Sequence, residues 1–110
     1  MKNWKNKQDF KSRVYHFARE IDVAVKSLAL RPMRKKWASC STSGNLNFNE
    51  ELLGLDKKIG DYVIIHELLH FRVPNHGKLW KSLMTVYLRD YEKIERKLKI
   101  LGQSSSSKAF

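Results

Sequence analysis

The stretch Asp56-Lys57-Lys58-Ile59-Gly60-Asp61-Tyr62-Val63-Ile64-Ile65-His66-Glu67-Leu68-Leu69-His70, followed by Phe71-Arg72-Val73-Pro74, decides how this chain is read. Ile59, Val63, Leu69 and their neighbours follow a helical period, so a helix is expected from Asp56 to about Arg72. Pro74 disfavours helical geometry at Val73 and stops it there. Positions four apart on a helix lie one above the other, so His66 and His70 can present imidazoles to one ion. Zinc takes histidine nitrogen at about 2.0–2.1 Å, and a catalytic site keeps one tetrahedral position for water. Glu67 follows the first histidine directly. From there its carboxylate can reach a water activated by the ion, take its proton and pass it to a leaving amine. The preceding run Tyr62-Val63-Ile64-Ile65 buries the segment, and half-buried imidazoles need partners.

A third ligand is expected nearby. His76 stands ten residues after His66, the spacing used by metzincin peptidases. Those proteins need a glycine where Val73 stands, and a β-branched residue before proline cannot copy that sharp turn. They also need a methionine in a tight turn, whereas Met84 falls within a helical pattern between Leu83 and Val86. The metzincin geometry is therefore excluded, while His76 is retained as a ligand delivered from the start of the next helix. Glu92 and Glu95 compete for the role at separations typical of thermolysin-like proteins. Their neighbours Lys93, Arg96 and Lys97 point to a solvated face instead.

Outward from this helix, the pattern gives an α+β fold. Phe10, Val14, Phe17 and Ile21 form one apolar stripe on an N-terminal helix over residues 8–22. Val23 to Arg31 reads as a strand ending at Pro32, and Trp37–Ser41 with Leu46–Asn49 reads as two strands around a turn at Gly44. The result is a small three-stranded sheet, then the active-site helix, a ligand-bearing helix from about His76 to Leu88, and a C-terminal helix to Leu101 stopped by Gly102. Residues 1–102 form one domain, and 103–110 form a low-complexity tail.

Length and composition bound the rest. A chain of 110 residues supports one modest core, and the single Cys40 excludes an intramolecular disulfide framework. No signal peptide or span of the ~20 apolar residues needed to cross a bilayer is visible, so a cytoplasmic protein is expected. The net charge of +11 steers the chain toward anionic partners, nucleic acid among them.

Taken together, Arg31, Trp37-Ala38-Ser39-Cys40-Ser41, Gly44-Asn45-Leu46, His66-Glu67-Leu68-Leu69-His70 and Asn75-His76 resemble the YgjP-like metal-dependent hydrolases and the short minigluzincins. The resemblance spans about residues 20 to 100. It implies a gluzincin-type zinc metallopeptidase in which the histidine matching His76 is the third ligand of one Zn2+ ion. It also implies a three-stranded sheet beside an active-site helix and a ligand-bearing helix. The family usually has glycine where Ala38 stands, and a Phe-Trp pair where this chain has Trp80-Lys81.

Further roles are expected of particular residues. Leu46-Asn47-Phe48 is the candidate edge strand that binds an extended peptide substrate by adding it to the sheet. Tyr87 shares a helix face with His76 and could stabilise an oxyanion. Trp80 and Leu83 should pack under the site, and Cys40 reads as a small core residue or a latent metal ligand. The tail ending in Lys108-Ala109-Phe110 could fold into the cleft and hold the enzyme latent, a reading the minigluzincin resemblance supports. The competing function is a basic nucleic-acid-associated module with structural zinc and Cys40 as fourth ligand, or a protease acting on nucleic-acid-bound proteins.

Overall fold

A computed structural model describes residues 3–73 and 75–104, with side chains described to residue 101. The described residues form four α-helices and a mixed sheet: α1 (Lys7–Ile21), β1 (Ser27–Arg31), β2 (Ala38–Cys40), β3 (Asn45–Asn49), α2 (Lys57–Leu69), α3 (Lys78–Tyr87) and α4 (Tyr91–Ser104). The expected α+β class is what forms.

Helix α1 starts where Asn6 accepts the Asp9 N–H at 2.8 Å, and Asp9 in turn accepts the Lys5 N–H at 3.0 Å. Its stripe of Phe10, Val14, Phe17 and Ile21 is buried as the period requires. Asp22 ends it in the left-handed region at φ 64°, a conformation that aspartate tolerates better than most residues. Arg72 fastens this terminus by donating to the carbonyls of Ile21 and Asp22 and to the Asp22 carboxylate.

The sheet corrects two expectations. The first strand begins only at Ser27, because Lys26 and Ser27 both turn their N–H groups onto the Gly44 carbonyl. Gly44 sits at φ +100°, and a Cβ there would meet the Ala24 carbonyl at 3.2 Å, so this turn is reserved for glycine. More consequentially, the strand order is β1-β3-β2, with β1 parallel and β2 antiparallel to β3. Leu46-Asn47-Phe48 is therefore central and paired on both flanks, not an edge. Leu46 and Phe48 point into the core at 1% and 0% exposure. The edge beside α2 is β2.

Helix α2 is the hub of the fold and packs against α1, α3, α4 and β2. Every residue from Ile59 to Leu69 is buried, polar ones included, so it is a central helix and not one with a single apolar face. Asp61 is neutralised there by a two-pronged bond from Arg13 at 2.9 and 3.0 Å. Gly60 lets the Trp4 indole lie flat on the helix, since a Cβ would come within 2.5 Å of that ring. Helix α4 runs past Gly102 to Ser104 and so overrides the expected stop. Of the 103–110 tail expected to plug the cleft, Gln103 and Ser104 belong to α4, and residues 105–110 lie outside the described residues, as does Pro74.

Candidate metal centre

Helix α2 ends at the second histidine of the motif. Leu69 is its last residue, and His70 is the cap, with three-residue bonds Phe71→Leu68 and Arg72→Leu69 tightening the final turn. The chain then turns to α3, where Asn75 accepts the Gly77 N–H at 3.0 Å. His76, one residue ahead of that helix cap, thereby comes back over the end of α2.

His66, His70 and His76 form a compact triangle. Their ring centroids stand 4.7, 5.0 and 4.8 Å apart, and one ligand nitrogen from each lies within 4.8 Å of the other two. The Nε2 atoms of His70 and His76 are 3.1 Å apart. A tetrahedral ion at about 2.0–2.1 Å sets its nitrogen ligands roughly 3.3–3.4 Å apart, so this donor set suits a metal such as zinc. The three rings pass from buried (His66) through half-buried (His70) to exposed (His76), so the group opens toward solvent on one side. Among the described residues, no cysteine or carboxylate joins them.

The surroundings favour the ligand form of the imidazoles. Burial lowers the pKa of His70, and the adjacent His66 adds to this; the same two causes lower His76. His66 Nδ1 lies 3.1 Å from Glu67 Oε2. A carboxylate there selects the tautomer with hydrogen on Nδ1, which leaves Nε2 free for an ion. The Glu67 side chain is itself 5% exposed.

Trp80 backs the cluster as expected, with its ring 5.4 Å from His66 and 4.5 Å from His76. Leu83 is half-buried against the core. Tyr62, which sequence reasoning passed over, also contacts the His66 ring at 5.8 Å. Its position four residues before His66 was the available signal. The Tyr62 hydroxyl donates to Glu95 at 2.8 Å, which places the Glu95 carboxylate behind the site in a supporting bond. Burial first, then this bond, raise the Tyr62 pKa.

The structure brings Cys40 to the site and takes Tyr87 elsewhere. Cys40 closes β2 beside Glu67; burial, reinforced by that negative charge, pushes its thiol up to about 11. It also lines a hollow of about 240 Å³ with Ser41, Thr42, His70 and Phe71. No local pattern could have shown this, because it depends on which strand faces α2. The Tyr87 hydroxyl donates to the Glu20 carbonyl at 3.3 Å, so its one hydrogen is spent on the end of α1.

Comparison with known proteins agrees with this geometry. An uncharacterized protein of Methanocaldococcus jannaschii is 30% identical, over 92% of this chain and 96% of its own length. The crystal structure of the metallopeptidase zymogen jannalysin from the same organism superposes with TM-score 0.72 at 28% identity, covering 89% of this chain and 99% of that one. The zymogen abylysin of Pyrococcus abyssi shares the fold, with TM-score 0.72 at 18% identity over 92% and 99% of the two chains. A family model for the YgjP-like metallopeptidase domain matches residues 1–100, and the chain belongs to that family.

Proposed function

We propose that this protein is a zinc peptidase in which His66, His70 and His76 hold one ion and Glu67 acts as general base and then general acid. The observation that carries this reading is the triangle of three imidazole nitrogens next to a buried carboxylate. When bound, the ion supplies the Lewis acidity that activates a water and polarises the substrate carbonyl. Glu67 accepts the proton of that water and returns it to the nitrogen of the broken peptide bond. The low exposure of Glu67 strengthens its electrostatic effect on reacting groups. Trp80 and Tyr62 hold the His66 ring in place, and Glu95 fixes Tyr62.

The substrate lies along β2. Ala38–Cys40 pairs with β3 on one flank and ends beside Glu67, so a peptide adding to the other flank would reach the imidazoles. The 240 Å³ hollow beside His70 receives a substrate side chain next to the bond that breaks. Cys40 stands outside the histidine group, and this favours the catalytic reading over a structural zinc closed by a fourth ligand.

Latency through the C-terminal segment belongs to the same proposal, because both structural neighbours are zymogens. Since α4 continues to Ser104, a chain stopping at Ser104 keeps the described length of that helix and removes residues 105–110. The test compares casein cleavage by the two forms, each loaded with one equivalent of zinc. The shorter form should be faster, and chelation should silence both. Equal rates sink the latency, and activity surviving chelation sinks the metal mechanism.

A further inference from the structure

Residues 23–49, which contain the whole sheet and its connections, carry five cations (Lys26, Arg31, Arg34, Lys35 and Lys36) and no Asp or Glu. Four of the five fall in residues 31–36, the passage from β1 to β2. Because the strand order is β1-β3-β2, this passage must cross the end of the central strand. Asn49 stands at that end, fully buried. Its amide donates to the carbonyls of Met33 at 2.8 Å and Lys36 at 3.0 Å, and its oxygen accepts the Glu51 N–H at 3.0 Å. The loop is thus held at two points by one satisfied side chain. Arg31, Arg34, Lys35 and Lys36 are all exposed, and among the described residues none of them forms an ion pair. Some cations elsewhere are matched: Lys7 by Glu50, Arg13 by Asp61, Lys57 by Asp9, Lys58 by Asp90 and Arg72 by Asp22.

The basic loop and the metal centre lie at opposite ends of the same edge strand. Lys36 stands two residues before Ala38, and Cys40 at the far end adjoins Glu67 and His70. At ~3.3 Å per extended residue, Lys36 and Cys40 are about 13 Å apart, or about four residues of an extended peptide. A peptide laid along β2 with its scissile bond at the imidazoles would carry residues at that separation past Arg34, Lys35 and Lys36.

We infer that the 31–36 loop is a specificity site selecting substrates with acidic side chains three to five residues from the scissile bond, on the side that runs toward Ala38. This rests on the peptidase reading above. Unpaired cations attract a carboxylate without first having to break an existing pair. Residues 23–49 themselves carry no carboxylate to repel an acidic segment.

The test uses the full zinc-loaded chain and a peptide with a single cleavage site mapped by mass spectrometry. Three residues centred four positions from that site, on one side or the other, are made all Asp, all Gln or all Lys. One of the two Asp peptides should show kcat/KM roughly five- to tenfold above its Gln partner at low salt, with the Lys peptide below it. The gain should fade as salt rises. In Arg34→Gln/Lys35→Gln/Lys36→Gln the gain should vanish while the Gln peptide is cleaved as before.

Cleavage of the Gln peptide with no gain from Asp on either side overturns the specificity site and leaves the peptidase reading standing. A gain that persists in the triple variant also overturns it. No cleavage of any peptide overturns the peptidase reading and the inference together. A short DNA duplex that binds with a steep salt slope lost in the triple variant, alongside indifference to Asp, would assign the loop to nucleic acid instead.

Discussion

The Nε2 atoms of His70 and His76 lie 3.1 Å apart, although one caps α2 and the other precedes α3. Two ring nitrogens at that distance either share a proton or face a common ion. The third imidazole, His66, sits within 4.8 Å of both and favours the ion. Replacing His76 with Ala removes the exposed corner of the triangle. Outer-shell partners alone change metal affinity by about 10–100-fold, so loss of a ligand should weaken zinc binding by on the order of a hundredfold or more. Titration against a chromophoric chelator reads this directly, and a variant binding zinc as tightly as the parent would exclude His76.

Acid should test the same group. The pKa values of His70 and His76 are lowered, so the folded chain binds fewer protons than the unfolded one as pH falls below 6.5. Stability of the metal-free protein should be fully present above pH 6.5 and decline as pH falls through that value toward the lowered folded-state values. Urea midpoints of the metal-free chain at pH 7.5 and 5.5 check this. A midpoint that rises on acidification would contradict the environment described for the imidazoles.

The Cys40 thiol gives a probe of Glu67 that needs no substrate. With its pKa at about 11 against an ordinary 9.0, it should react with iodoacetamide at pH 8 on the order of a hundredfold more slowly than a free cysteine. Glu67→Gln removes the negative neighbour, so the pKa should fall and the metal-free variant should be alkylated faster. The sign for stability is the reverse of the histidine case. A raised folded-state value means that stability is fully present below pH 9.0 and is lost as pH rises toward about 11. An alkylation rate unmoved by Glu67→Gln would separate the two side chains.

The core makes two predictions of its own. Gly60→Ala drives a methyl into the Trp4 ring, 2.5 Å from the nearest ring atom, and should destabilise by about 1–3 kcal/mol. Arg13→Met removes the guanidinium that lies over Phe17 and strands the nearly buried Asp61 carboxylate. Because Arg13 is partly exposed, water can enter, and a loss of about 1–3 kcal/mol is expected. Chemical denaturation measures both, and either variant matching the parent would contradict the packing described.

What could be read in the sequence was local. The stripe of Phe10, Val14, Phe17 and Ile21, the turn at Gly44, and the pair His66 and His70 depend only on residues a few positions apart. Strand order does not. Whether Leu46-Asn47-Phe48 is an edge or a centre depends on β1 pairing in parallel across a long connection, and its alternating pattern is the same in both cases. The position of Cys40 beside Glu67 follows from that order and was hidden with it. Val23 to Lys26 has strand propensity, yet the Val23 N–H goes to the Ala18 carbonyl and the Lys26 N–H to the Gly44 carbonyl. Gly102 lies in α4 because a glycine inside a helix costs only about 1 kcal/mol, which is not a stop in itself.

The central claim is that three histidines hold the metal and Glu67 moves the proton. Zinc content and casein cleavage of Glu67→Gln, measured beside the parent chain on the same preparation, test it most directly. The account predicts one zinc per chain in both proteins and, in the variant, loss of hydrolysis by at least about 100-fold, the lower range for a general base. A Glu67→Gln protein that holds zinc and still cleaves casein at the parent rate would contradict it.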